Sequence, residues 1–181
     1  AQINTPNKYM SKNTEAVIET VFENQGVDDE EITIGTKTEF YIDHPKTIVN
    51  SVKAEDLHMM LSSNPYQGCE HGCVYCYARN SHTYWGYSAG LDFESKIMVK
   101  RNAPELLDNL LSSKSWKVAP IMMSGNTDCY QPVEKETEIT RELLKVFLKH
   151  RHPVGIVTKN SLILRDMDII SQLNKLGLVS V

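Results

Sequence analysis

No stretch of about 18 uninterrupted apolar residues occurs in the 181-residue chain, which excludes a helix that spans a bilayer. The N-terminus, Ala1-Gln2-Ile3-Asn4-Thr5-Pro6, lacks a charged segment followed by an apolar one and so does not read as a secretory signal. It also lacks an initiator Met, and we expect the chain to be trimmed at its front. An excess of positive charge is missing too: 19 Lys and Arg against 23 Asp and Glu leave a net charge of −4, which is not the composition of a polyanion binder. There is no low-complexity tract, and 41% hydrophobic with 23% charged residues is the balance of a soluble globular domain. Cysteine is scarce. Of four, Cys69, Cys73 and Cys76 crowd into eight residues while Cys129 stands alone, so a disulfide framework is excluded. Without an export signal such a cluster suits metal binding in a reducing compartment, and we expect a cytoplasmic protein with no membrane partner.

What is present divides at about residue 57. Residues 1–57 read as an N-terminal extension: a short amphipathic helix pattern at Val17, Ile18, Val21 and Phe22, an acidic run at 28–31, and two strands around the turn signal Asp43-His44-Pro45-Lys46. From 58 onward strands alternate with helices. Strands are expected at 58–63, 97–99, 118–123, 154–158 and 178–181. Helices are expected after Pro104, over 135–149 with Ile139, Leu143, Val146 and Phe147 on one face, and around Ile169, Ile170, Leu173 and Leu176, ending at Gly177. Such alternation predicts an α/β fold with a parallel sheet. The pattern stops inside a strand, which leaves an open sheet edge, and we expect the natural protein to continue past Val181.

In parallel βα architectures the loops after the strands emerge on one face, where ligands bind. Three polar segments fall there: the loop from Asn64 to Cys76, the run Ser124-Gly125-Asn126-Thr127-Asp128-Cys129, and the turn Lys159-Asn160-Ser161. The first carries Cys-x3-Cys-x2-Cys. Gly68 and Gly72 allow the tight backbone needed to turn three thiolates inward. Soft thiolates select zinc or an iron-sulfur cluster. Structural zinc closes with four ligands, and no second Cys-x2-Cys or His pair follows, although His71 lies in the loop. A 4Fe-4S cluster held by three thiolates keeps one iron open.

The segment Cys69-Glu70-His71-Gly72-Cys73-Val74-Tyr75-Cys76 resembles the Cys-x3-Cys-x-aromatic-Cys signature of the radical S-adenosylmethionine superfamily. With Asn64-Pro65-Tyr66-Gln67-Gly68, Tyr77-Ala78-Arg79, Thr127-Asp128-Cys129-Tyr130-Gln131-Pro132 and Val157-Thr158-Lys159, it is similar to the bacterial branch related to spore photoproduct lyase and labelled DNA repair photolyase-like. The resemblance implies a partial (βα)6 TIM-like barrel, of which residues 58–181 are the first half. It implies a 4Fe-4S cluster on Cys69, Cys73 and Cys76, whose open iron takes S-adenosylmethionine. An electron from an external donor such as flavodoxin or ferredoxin then cleaves the cofactor, and the 5′-deoxyadenosyl radical abstracts a substrate hydrogen. It places Tyr75 and the backbone of Tyr77 against the adenine, and Ser124, Gly125, Asn126, Thr127 and Asp128 by the cofactor's amino group. Lys159 falls at the methionyl carboxylate. The lyases' hydrogen-donating cysteine is matched here by Gly125, which argues against lyase activity itself; Cys129, four residues on, is the candidate catalytic relay. Nucleic acid as substrate enters through the family label alone.

Blander readings stand beside these. Cys129 is otherwise a small core residue, Lys159 a solvated lysine, and Asp128 a helix cap. Tyr84, Trp85, Tyr87 and Tyr130 either stack on a flat substrate or pack against the loop. His82 reads as a surface histidine, and Lys145, Lys149, His150, Arg151 and His152 as the solvated end of a helix. Two rival functions remain: a zinc-bound structural or nucleic-acid-binding module, and an electron carrier with Cys129 as fourth ligand.

Overall fold

The computed structural model describes residues 38–54 and 57–181; the amphipathic pattern at 17–22 and the acidic run at 28–31 lie outside the described residues. The elements run β1 (Glu39–Ile42), β2 (Val49–Ala54), β3 (Leu57–Ser63), β4 (Tyr66–Gln67), a 3-10 segment Tyr77–Trp85, α1 (Asp92–Ser95), β5 (Lys96–Val99), α2 (Ala103–Leu111), β6 (Ile121–Met123), α3 (Glu134–Thr137), α4 (Ile139–Lys149), β7 (Val154–Ile156), a 3-10 segment Ser161–Asp166, α5 (Met167–Lys175) and β8 (Val179–Ser180). They build a mixed α/β structure with two mixed sheets. The larger has the order β2-β3-β6-β7-β8 and is antiparallel only at β2/β3. The smaller has the order β1-β5-β4, with β1 parallel and β4 antiparallel to β5. No helix among the described residues is long and apolar enough to cross a membrane.

The central parallel strands β6 and β7 are short and apolar, and amphipathic helices pack against them. In α4, Ile139, Leu143 and Phe147 recur every four residues and are buried, while Glu142, Lys145 and Lys149 face solvent. They meet Leu107 of α2, Ile169, Ile170 and Leu173 of α5, and Ile121, Met123, Val154 and Ile156 of the sheet in one core. The α5 stop is a Schellman turn: Gly177, at φ +68°, donates to the Asn174 carbonyl (2.9 Å), and Leu178 N–H donates to that of Leu173 (3.0 Å).

Several expectations need correction. Of the two strands expected around the 43–46 turn, at 38–42 and 47–49, the second begins only at Val49 and runs to Ala54; β1 joins β5 and β2 joins β3, so residues 39–54 contribute to both sheets. The strand expected at 118–123 begins only at Ile121, and Val118 is exposed. Pro120 has no N–H to donate, which delays the ladder. Leu176 is 47% exposed rather than buried, because the Schellman turn packs Leu178 on the core instead. The helix over 135–149 is two helices, broken at Glu138 in the left-handed region (φ 51°).

That break has a buried cause. The Glu134 carboxylate accepts from Thr140 N (2.9 Å) and Arg141 N (3.4 Å), taking the capping role at the start of α4 that Glu138 does not fill. Glu134 is fully buried, and Arg165 compensates it at 2.7 Å. Arg165 and Arg141 also hold fully buried Asp166, which accepts from the Tyr130 hydroxyl at 3.1 Å. Removing one partner of such a set leaves a charge or donors unmet. Glu134→Ala should therefore cost about 3–5 kcal/mol, and Glu138→Gly should raise stability by about 1 kcal/mol by relieving the left-handed residue. Urea denaturation of both variants checks this pair of opposite signs.

Candidate functional site: three loops at the carboxyl ends of the parallel strands

The loop after β3 is held through its main-chain groups, by two backbone anchors and by side chains that reach it from neighbouring segments. Its first residues form β4, which pairs with β5. Gly68 then turns at φ +80°, where a Cβ would come within 2.8 Å of the Lys96 carbonyl oxygen, so only glycine fits. Gln131 clasps the turn on both sides, donating to the Gly68 carbonyl (3.2 Å) and accepting from Glu70 N (3.0 Å). Glu70 in turn accepts from Val133 N at 2.7 Å. Cys69 N donates to the Phe93 carbonyl at 2.8 Å. All four cysteines are free thiols. Cys69 is buried, and that burial pushes its thiol pKa up; Cys73 and Cys76 are half-buried. Val74, Tyr75 and Tyr77 stand out from the loop, 90%, 83% and 76% exposed, which is unusual for apolar side chains and offers them as contact surface. Among the described residues, no three His, Cys, Asp or Glu side chains converge as they would on a single metal ion.

The loop after β6 is hung on the first. Ser124 opens it in the left-handed region (φ 67°), and the Asn64 side chain accepts from Asn126 N (2.9 Å) and Thr127 N (3.3 Å) while donating to Ser62 Oγ (3.1 Å). Gly125 passes so close to Ser62 that a Cβ would lie 2.6 Å from its Oγ. The Asn126 amide reaches Gln67 and Ser81, Thr127 Oγ1 donates to the Tyr66 carbonyl (2.7 Å), and the Tyr77 hydroxyl donates to the Gly125 carbonyl.

Asp128 joins all three loops. Its Oδ1 accepts from Tyr130 N (2.9 Å) in its own loop and from Thr158 Oγ1 (2.7 Å) after β7; its Oδ2 accepts from Lys159 N (3.1 Å) and lies 3.3 Å from His71 Nε2 in the cysteine loop. The His71 contact has ion-pair distance without hydrogen-bond alignment. Burial alone would raise the carboxyl pKa; the contact with His71 and the donors Thr158, Tyr130 N and Lys159 N outweigh it and hold the group below the ordinary carboxylate range. Lys159 carries its ammonium to 2.7 Å from Cys73 Sγ, and that sulfur raises the lysine's pKa.

The structure thus gathers Cys69, Cys73, Cys76, Tyr77, Ser124, Gly125, Asn126, Thr127, Asp128 and Lys159 into one set of interlocked loops. Cys129 differs. It is fully buried in the main core, and burial holds its thiol well above the usual range, so it stays protonated. The four aromatics are not one group: Tyr130 is core, Tyr87 stacks on Tyr41 and His82, and Tyr84 is exposed. His152 is not at a solvated helix end; it is buried, accepting from Trp116 Nε1 at 3.1 Å. His82 is no surface residue either. It is buried beneath Gly68, between Tyr87 and Phe93, and neither ring nitrogen has a hydrogen-bond partner among the described residues. Asn64, Glu70, Gln131 and Arg79 stand in segments quoted from the sequence, but no role was assigned to them there. The Asn-Pro pair before the cysteines was the one local signal of a turn that could have pointed to Asn64.

No family model matches the chain, and no solved structure matches it. It is similar to an uncharacterized protein of Mycobacterium tuberculosis, 32% identical over 128 residues that make up 70% of this chain and 38% of the relative. An uncharacterized protein of Methanocaldococcus jannaschii is 38% identical over 113 residues, 62% of this chain and 40% of that one. An uncharacterized protein of Acidianus two-tailed virus is 28% identical over 110 residues, 58% of this chain and 36% of its own length. The chain thus spans about two fifths of the length of the curated relatives it matches.

The buried imidazole under the loop has a measurable consequence. Burial lowers the His82 pKa from 6.5 to about 4. A group depressed on folding contributes stability above its unfolded pKa and loses it as pH falls from about 6.5 toward 4. Going from pH 7 to pH 5 should cost about 2 kcal/mol from this group. Urea midpoints at the two pH values should show that slope in the wild type and a shallower one in His82→Phe.

Proposed function

We propose that the chain carries the cofactor-binding half of a radical S-adenosylmethionine enzyme from the branch related to spore photoproduct lyase. In this reading β3, β6, β7 and β8 are strands of a partial (βα)6 TIM-like barrel. The observation that carries it is the Cys-x3-Cys-x-Tyr-Cys loop: its three free thiols share a strand-end face with the 124–128 loop and with a lysine ammonium 2.7 Å from Cys73 Sγ. The donor set fits the group. Three soft thiolates suit a 4Fe-4S cluster, and a cation beside a sulfur favours its thiolate form.

When bound, the cluster and S-adenosylmethionine supply the carbon-centred radical that abstracts a substrate hydrogen. Cys69, Cys73 and Cys76 would hold the cluster. Tyr75 offers an exposed ring to the adenine. The backbone of Tyr77 and the segment Ser124, Gly125, Asn126, Thr127 and Asp128, tied by the Tyr77 hydroxyl and Asn64, present main-chain groups to the cofactor. Lys159 supplies the cation for a carboxylate, and Asp128 fixes that lysine's backbone. Cys129 packs the core beneath the site and stays protonated. An external flavodoxin- or ferredoxin-type protein would supply the electron. The substrate is left open, with nucleic acid as one class to try.

Anaerobic iron-sulfur reconstitution of the full-length protein, followed by electron paramagnetic resonance with and without S-adenosylmethionine, tests this reading. We expect about four irons bound, a signal that shifts on adding the cofactor, and loss of iron in Cys73→Ala but not in Cys129→Ala. Lys159→Ala should weaken cofactor binding by about tenfold or more at unchanged iron content. Bound zinc, a signal indifferent to the cofactor, or iron lost in Cys129→Ala would replace it with a structural or electron-transfer site.

A further inference from the structure

Arg79 follows the last cysteine of the loop by three residues, on the 3-10 segment Tyr77–Trp85, and its side chain folds back over the loop it has just left. All three guanidinium nitrogens are engaged. Nε donates to the Cys73 carbonyl (3.0 Å) and Nη2 to the Gly72 carbonyl (2.9 Å) and to Glu94 Oε1. Nη1 donates to the carbonyls of Ala89 (3.3 Å) and Gly90 (3.0 Å), on the segment leading to α1. The guanidinium carbon lies 5.3 Å from the centre of the Phe93 ring, and the Phe93 carbonyl is the acceptor for Cys69 N. The same group therefore touches the chain between the first two cysteines and the scaffold that anchors the first of them.

Gly72 shows how closely the pieces fit. It sits at φ +60°, and a Cβ there would come within 2.8 Å of Glu94 Oε2, so the loop backbone presses directly on the carboxylate that orients Arg79. A planar fork that donates in several fixed directions is what this arrangement uses, and a lysine ammonium cannot reproduce it. Carbonyls of an irregular loop otherwise need water or a rearranged backbone.

We infer that Arg79, oriented by Glu94, is the positioning residue for the three-cysteine loop: it sets the backbone from Gly72 to Cys73, and so the placement of Cys69 and Cys73, before any ligand is bound. As a statement about cofactor binding this rests on the reading above; as a statement about the thiols it stands without it. A preformed loop binds its ligand without first having to be ordered.

The test uses the full-length protein and the variants Arg79→Gln, Arg79→Lys and Glu94→Gln. In the metal-free protein, the rate of maleimide labelling is followed at each cysteine by peptide mass mapping. We expect Arg79→Gln to speed labelling of Cys69 and Cys73 by about tenfold, on the scale of one lost charge-assisted hydrogen bond, with Cys129 remaining protected. Arg79→Lys and Glu94→Gln should fall between. After anaerobic reconstitution, Arg79→Gln should lose iron to a chelator faster than the wild type, with partial rescue in Arg79→Lys. Labelling that rises equally at Cys129 would show a general loss of fold and overturn the positioning role, as would wild-type labelling in Arg79→Gln. A wild type that takes up no iron would sink the proposed cofactor while leaving the labelling result to decide the role of Arg79.

Discussion

Three loops that follow three different strands must keep a common geometry if they are to act on one ligand, and the carboxylate of Asp128 is where they meet. It accepts from its own loop through Tyr130 N, from the β7 loop through Thr158 and Lys159, and faces His71 in the cysteine loop. None of these partners could supply the link alone. A short side chain with two acceptor oxygens and a full charge can take several donors from different directions at once. Because the donors outweigh the cost of burial, the group stays ionised and Lys159 is held beside Cys73.

Around that point many main-chain groups of the loops are satisfied by side chains rather than by a sheet or a helix. Arg79 takes carbonyls of the cysteine loop, Asn64 takes two N–H groups of the 124–128 loop, and Gln131 takes one of each. Glycine marks the places where backbone passes too near its neighbour for a side chain, at Gly68 and at Gly125. Below them, the buried carboxylates of Glu134 and Asp166 with Arg165 and Arg141 join α3, α4 and the start of α5 to the same platform. Tyr66 connects the two layers, its hydroxyl donating to Glu134 and its carbonyl accepting from Thr127.

The α/β alternation was readable because periodicity reports burial directly. The face of α4, the stop at Gly177 and the strands near 58–63, 97–99 and 154–158 all follow from it. Where the reading missed, a distant partner had intervened. Glu138 breaks a pattern that is helical throughout because the carboxylate of Glu134 replaces the cap, and a one-residue left-handed turn leaves no mark on apolar spacing. His82 and His152 are polar by composition yet buried, since aromatic neighbours from other elements enclose them. Pro120 was a local signal for the late start of β6 that hydrophobicity overrode.

By itself the sequence determined the residue types that can do chemistry: three thiols at a spacing that lets one short loop present them together, flanked by glycines, after a strand and ahead of a helical array. That information is local, because covalent spacing fixes which side chains can share a loop. How the remaining polar residues are joined into one site was decided by tertiary structure alone. Asn64, Arg79, Asp128 and Lys159 act through contacts that reach across the chain, up to 86 residues between Cys73 and Lys159. The burial that keeps Cys129 protonated likewise comes from packing by helices and strands distant in sequence. Such contacts depend on where the strands end in space, which the order of residues implies only through the fold.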